Sequence, residues 1–252
     1  MQLLVSVRDA WEADAAVAGG ADIVDAKDPA AGALGPVAVS TLRAIRERVP
    51  PGMPVSAAIG DAGRIGPVDL TDMAVPGVAF LKLGLGGITD QAASRIRLRE
   101  ATQVAARSAG APRMVAVAYA DSFRSASLPP PAVLEVAAEC GAAGFLVDTA
   151  VKGRGRLYDF APLSSLQAWG EAVHRAGLFF AVAGSLGLDD VDAAADIGAD
   201  VLGVRGAACE AGRGGSVAVQ LVARLRAAVE LASLRYGEAS RPMVSARLSR
   251  AS

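Results

Sequence analysis

Short apolar runs alternate along the chain with longer alanine-rich stretches whose apolar positions recur at helical spacing. The runs LLVSV (3–7), DIVDAK (22–27), PVSAAIG (54–60), FLKLGL (80–85), RMVAVAYA (113–120), GFLVDTA (144–150), LFFAVAG (178–184) and VLGVRG (201–206) read as strands. Helical patterns at 38–48, 90–109, 131–140, 162–175 and 217–235 lie between them, and a short helix is predicted near 68–74. Eight strands, each followed by a helix at intervals of about 30 residues, predict an α/β fold of the (β/α)8 TIM-barrel type, one domain over 1–236. A doubly wound open sheet would want a glycine-rich phosphate loop after its first strand. Here that strand runs into RDAWEAD, which has no glycine. GGAD (19–22) and IGAD (197–200) each stand between a helix and a strand, as helix-ending glycine turns do. The stretch from 237 to 252 has no apolar period and reads as a tail.

Composition narrows the function. The chain has 252 residues, 52% of them apolar, and a net charge of −1 with no long block of one sign. That balance argues against a nucleic-acid partner. No apolar run reaches the length of a membrane span, and the N-terminus turns polar too soon for a secretory signal, so a soluble cytoplasmic protein is expected. Cys140 and Cys209 suggest neither a disulfide framework nor a metal site. His174 reads as a helix-end residue, and Trp11 and Trp169 as packing. No metal or cofactor is expected, and a homo-oligomer is compatible with the sequence.

The chemistry concentrates in the lysines. Of 25 basic residues three are lysine, namely Lys27, Lys82 and Lys152. An amine can lose its proton and attack a carbonyl, which a guanidinium effectively cannot. All three lie in or just past even-numbered strands, whose C-terminal ends build the active site of this fold. Asp25 is two residues before Lys27 and shares its face of the strand. Asp148 is four before Lys152. Asp61 and Asp121 follow the third and fifth strands and suit either proton transfer or loop chemistry. Clustered cations and burial free a neutral amine, which makes Lys27 a candidate nucleophile with Asp25 as its partner.

The seventh strand ends in AVAGSLGLDD and the eighth in GVRGAACEAGRGGSV. Loops after these two strands commonly cradle phosphate in a barrel. Gly184, Ser185, Gly206 and Ala207 are the expected cradle, and Arg205 the expected pocket cation.

The segments LLVSVRDAWEADAAVAGGADIVDAKDPAAGALG, FLKLGLGG and DTAVKGRGRLYDF resemble the (5-formylfuran-3-yl)methyl phosphate synthase family, barrel enzymes of methanofuran biosynthesis. The resemblance runs from residue 1 to about residue 235. It implies a carbon–oxygen lyase that condenses two molecules of the phosphorylated triose glyceraldehyde 3-phosphate into a furan aldehyde phosphate. It also implies that Lys27 forms a Schiff base, that Lys82 acts as acid or base beside it, and that Asp25, Asp148 and Lys152 complete the charged site. A class I aldolase, in which Lys152 would be the reactive lysine, and a non-catalytic phosphate-ligand barrel are the alternatives.

Overall fold

The computed structural model describes residues 1–63 and 70–236. The strand β1 (Gln2–Val7) leads into α1 (Ala10–Ala18), β2 (Ile23–Ala26) into α2 (Val39–Arg48), β3 (Val55–Asp61) into the short α3 (Leu70–Met73), and β4 (Val78–Gly84) into α4 (Gln91–Arg107). After β5 (Arg113–Tyr119) come α5 (Ser122–Ser125) and α6 (Pro130–Glu139), and after β6 (Gly144–Asp148) come α7 (Leu157–Phe160) and α8 (Leu163–Arg175). The chain then runs through β7 (Phe179–Val182), α9 (Val191–Asp196), β8 (Val201–Val204) and α10 (Val219–Tyr236). The strands pair in chain order, all parallel, and β8 closes on β1 with Gln2 opposite Val201. This is the predicted closed barrel. Positions 68 and 69 of the short helix and the tail over 237–252 lie outside the described residues.

Local sequence explains the boundaries. Asp9 caps α1 by accepting from the Glu12 N–H, and Asp90 caps α4 by accepting from the Ala93 N–H. The two glycine turns close their helices as expected. Gly20 and Gly198 take φ of 86° and 76°, and the N–H groups of Ala21 and Ala199 reach back to the carbonyls of Ala16 and Ala194. The helices α5 and α7 are each a single turn in a loop, too short to leave a periodic signal.

Alternation along the strands builds two apolar layers. Outward residues such as Leu3, Val5, Val24, Val55 and Leu81 pack against the helices. Inward residues, including Ile23, Phe80, Val115, Leu146, Phe179 and Val201, fill the barrel. Phe80 and Phe179 meet edge to face with ring centroids 5.4 Å apart. Gly144 leaves room for that pair, since a Cβ there would lie 2.3 Å from the Phe179 ring. Within this inward row Asp25 and Lys27 follow Ile23.

One sequence reading changes, and another gains a partner. Trp11 is 77% exposed, because α1 turns Glu12, Ala13 and Ala16 inward, and the Arg48 guanidinium lies over its ring. His174, in the last turn of α8, is hydrogen-bonded to Asp200, which also accepts from the Phe180 N–H. Asp200 lies just before β8, so this contact fastens α8 at the N-terminal end of the barrel, opposite the strand ends that carry the lysines.

Candidate active site

A cavity of about 700 Å³ opens at the C-terminal ends of the strands, lined by Lys27, Lys82, Asp148 and Lys152. The three lysines, brought from three separate segments, therefore meet in one place. Lys27 lies one residue past β2 but stays in register, its N–H donating to the Val7 carbonyl.

The pairing among the charges differs from the expected one. Asp25 is fully buried and accepts from Lys82 Nζ at 2.6 Å, not from Lys27. The reason is level along the barrel. Two residues of strand separate Lys27 from Asp25, a rise of about 6.6 Å, whereas Lys82 enters from β4 at the depth of Asp25. Two hydroxyls complete the carboxylate's shell: Ser6 Oγ donates to Oδ2 at 2.8 Å and Ser56 Oγ to Oδ1 at 2.6 Å. On the other wall Lys152 Nζ donates to Asp148 Oδ1 and to Thr149 Oγ1.

Lys27 is thus buried with no hydrogen bond or ion pair to its amine among the described residues. Its pKa falls from the usual 10.5 to about 7. Burial is the main cause and the Lys82 ammonium the next. The charge balance makes this intelligible. Two ammonium groups already match two carboxylates, so a proton on Lys27 would add an uncompensated buried charge. Burial pushes the Asp148 carboxyl up, but Lys152, Lys27 and the Thr149 N–H outweigh it and hold the group below the ordinary carboxylate range. At neutral pH Asp148 is an anion.

Asp61 and Asp121 tie loops. Asp61 accepts from the Tyr119 hydroxyl at 2.7 Å and the Gly86 N–H at 3.1 Å. Asp121, fully buried, accepts from the N–H groups of Ala150 and Val151 and so fastens the segment that carries Lys152.

At the expected phosphate end, Gly184, Ser185, Gly206 and Ala207 all line the cavity. Among the described residues their four N–H groups have no protein acceptor, as a backbone cradle requires. Arg205 is a different matter. It is buried, and its five N–H donors all bond within the protein: to both Glu12 oxygens and to the carbonyls of Ser6, Arg213 and Gly215. No donor is left for a phosphate, so the expectation of a free pocket cation at Arg205 gives way to a clamp between α1 and the loop after β8. We expect Glu12→Ala to lower unfolding free energy by about 3–5 kcal/mol, because it strands a buried guanidinium. Denaturant unfolding checks this, and a loss under about 1 kcal/mol would show that Arg205 finds other partners.

Sequence reasoning missed four groups here. Ser6 and Ser56 lie on odd strands and were detectable, since each sits at an inward position of an apolar run. Arg213 lines the cavity, and Arg156 pairs with Asp190 at its rim. Both come from loops, where no periodicity tells which way a side chain turns.

Comparison with known proteins shows the family of the chain. Residues 3–226 match the family described as 4-HFC-P synthase. The (5-formylfuran-3-yl)methyl phosphate synthase of Methanopyrus kandleri is 39% identical over 234 residues, 90% of this chain and 98% of that protein. Its counterpart from Methanocaldococcus jannaschii is 34% identical over 231 residues, again 90% and 98%. Among solved structures, 3-hexulose-6-phosphate synthase from Salmonella typhimurium superposes with a TM-score of 0.64 at 17% identity, covering 92% of this chain and all of that one. Phosphoribosyl anthranilate isomerase from Thermus thermophilus gives 0.61 at 19%, with 93% and 100% covered. At those identities the likeness is one of fold.

Proposed function

Since this chain belongs to the 4-HFC-P synthase family, we propose that it is a lyase that makes (5-formylfuran-3-yl)methyl phosphate from two molecules of glyceraldehyde 3-phosphate. One phosphate and two waters are lost, and the reaction runs through a Schiff base on Lys27. The observation that carries this reading is the Lys27 amine itself. It is buried, unpaired among the described residues and half-deprotonated near pH 7, while the two lysines beside it are held by carboxylates.

The chemistry follows from those states. Neutral Lys27 adds to the aldehyde of one triose and loses water to give an iminium. The iminium acidifies the neighbouring carbon. Once that proton leaves, phosphate departs from the next carbon and an unsaturated iminium remains. Carbon–carbon bond formation with the second triose, ring closure and dehydration follow, and hydrolysis frees Lys27. Lys82, anchored on Asp25, is the proton carrier nearest the buried end, and the Asp148 anion with Lys152 is a second acid–base pair on the opposite wall. Cavity size supports a two-substrate reaction. At about 30 Å³ per water-sized group, 700 Å³ takes about 23 of them, and two triose phosphates bring about 20 non-hydrogen atoms.

The test is incubation with glyceraldehyde 3-phosphate alone, following a furan ultraviolet band and released phosphate. An aldolase yields neither, and a binding protein yields binding only.

In this reading one phosphate rests on the loops after β7 and β8. Gly206→Val then raises KM well over tenfold with a much smaller fall in kcat, as expected when a group is held equally in ground and transition states. The fold should tolerate the change. A Cβ at 206 would lie 3.4 Å from the Arg213 nitrogen, an ordinary contact, and the φ of Gly206 is not positive. A folded variant with unchanged KM would remove phosphate from this cradle.

A further inference from the structure

We infer that Arg213 is the guanidinium that takes a substrate phosphate beside the Gly206–Ala207 backbone, and that the same side chain couples phosphate binding to the loop that follows Lys27. The inference rests on the proposed reading only in taking a phosphate monoester as the ligand class.

Arg213 stands at the junction of the two loops. Its Nη2 donates to the carbonyls of Gly32 at 2.8 Å and Pro29 at 3.3 Å, in the segment directly after Lys27. Its own carbonyl accepts from Arg205 Nε at 3.2 Å. The residue is therefore fixed at both ends, by the Glu12–Arg205 clamp behind it and by the 29–32 loop in front. That loop is itself closed. The Asp28 N–H donates to the Gly35 carbonyl at 2.9 Å, Asp28 Oδ1 accepts from the Ala30 N–H, and a Cβ at Gly35 would lie 2.4 Å from the Asp28 oxygen. The segment DPAAGALG (28–35) after Lys27 thus forms a ring of chain that Arg213 grips by its carbonyls.

What remains of the side chain faces the cavity, where the Asp148 and Asp28 carboxylates act on it through space without an ion pair. A guanidinium has five N–H donors. Nε and Nη1 of Arg213 have no protein acceptor among the described residues, and no carboxylate there pairs with it. The other cations of the cavity wall are committed: Arg205 to Glu12, Arg156 to Asp190, Lys82 to Asp25 and Lys152 to Asp148. Lys27 is buried, and burial lowers its pKa to about 7, so it is a poor permanent cation. Arg213 also abuts the cradle, since a Cβ on Gly206 would come within 3.8 Å of its own Cβ. A planar guanidinium next to free backbone N–H groups suits a phosphate dianion. Because its rotamer is already fixed, binding costs little further side-chain entropy. A phosphate held there stiffens the grip on residues 29–32, and hence the placement of Lys27. Linkage makes the effect reciprocal.

The test uses glycerol 3-phosphate, which has the phosphate but no carbonyl and so cannot form an imine. We expect calorimetric titration to give binding to the intact protein and about 10- to 100-fold weaker binding to Arg213→Gln, which keeps hydrogen-bond donors but loses the charge. Arg213→Lys, with charge but no fork, should fall between. Backbone hydrogen exchange over residues 28–35 should slow on adding glycerol 3-phosphate to the intact protein and not to Arg213→Gln. Equal affinity in the two proteins would overturn the assignment. Weakened binding with unchanged loop protection would overturn the coupling. Failure of the intact protein to bind glycerol 3-phosphate at all would overturn the Arg213 site together with the phosphotriose reading.

Discussion

Lys27→Met should abolish turnover and at the same time make the protein harder to unfold. The first effect follows from the proposed covalent step, since the other two amines of the cavity are held by carboxylates. Removal of a covalent catalyst costs about four to six orders of magnitude in kcat. The second follows from the site's electrostatics. A lysine whose folded pKa is depressed binds fewer protons folded than unfolded. It therefore opposes folding fully below pH 7, and that opposition fades as pH rises from about 7 toward 10.5, the ordinary value. Three and a half pH units correspond to an upper bound of about 5 kcal/mol. Methionine has similar length and no charge to bury, so the melting temperature at pH 6 should rise by several degrees, with a smaller gain at pH 10. In the unaltered enzyme the same pKa predicts an activity profile that climbs through pH 7 as the amine is freed. Borohydride reduction with substrate should add mass at Lys27. Label on Lys152 alone would move the protein to the aldolase reading. A Lys27→Met protein that keeps turnover, or melts earlier at pH 6, would contradict the account of this amine.

Lys82→Arg should lose about two to four orders of magnitude in kcat although the positive charge remains. The expected factor is that of a missing acid–base group. A guanidinium does not give up its proton near neutral pH. The covalent step should survive, because the substituted guanidinium still supplies the nearby charge that helps to free Lys27. Borohydride should thus still trap substrate on Lys27 in this variant, with no furan formed. Lys82→Met offers the contrast. It removes the second-largest cause of the lowered Lys27 pKa, so the pH at which Lys27 becomes trappable should move upward. Full turnover by Lys82→Arg would reduce Lys82 to a source of charge. Loss of trapping with the charge kept would place Lys82 in imine formation itself.

How much of this was legible in the chain varies by residue. The strand runs carry the barrel because inward and outward positions alternate with period two, a property each run shows by itself. The same alternation puts Asp25 on the face of Lys27 and turns Lys82 and Asp148 into the barrel. It would also have exposed Ser6 and Ser56, had the inward positions of odd strands been read for polar residues. Glycine at 184 and 206 marks loops where backbone can meet an oxyanion.

Partner choice is another matter. Which amine Asp25 holds depends on the stagger between strands. Ser6 and Ser56 flank Asp25 in the ladder from either side, and Lys82 reaches the same depth from β4. Stagger comes from the closing of all eight strands together, so no single run contains it. Arg205 and Arg213 make the same point for loops. One looked like the pocket cation, being at a strand end, yet Glu12 from α1, 193 residues away, takes its fork. The other sits in a glycine-rich turn with no period to orient it, and contacts to the loop after β2 set its direction. The barrel, the inward amines and the glycine loops could all be read from the chain, since they rest on local periodicity and residue chemistry. Which charges are neutralised, and so which amine is free, was settled only by the closed fold, because neutralisation is a matter of distance between segments far apart in the chain.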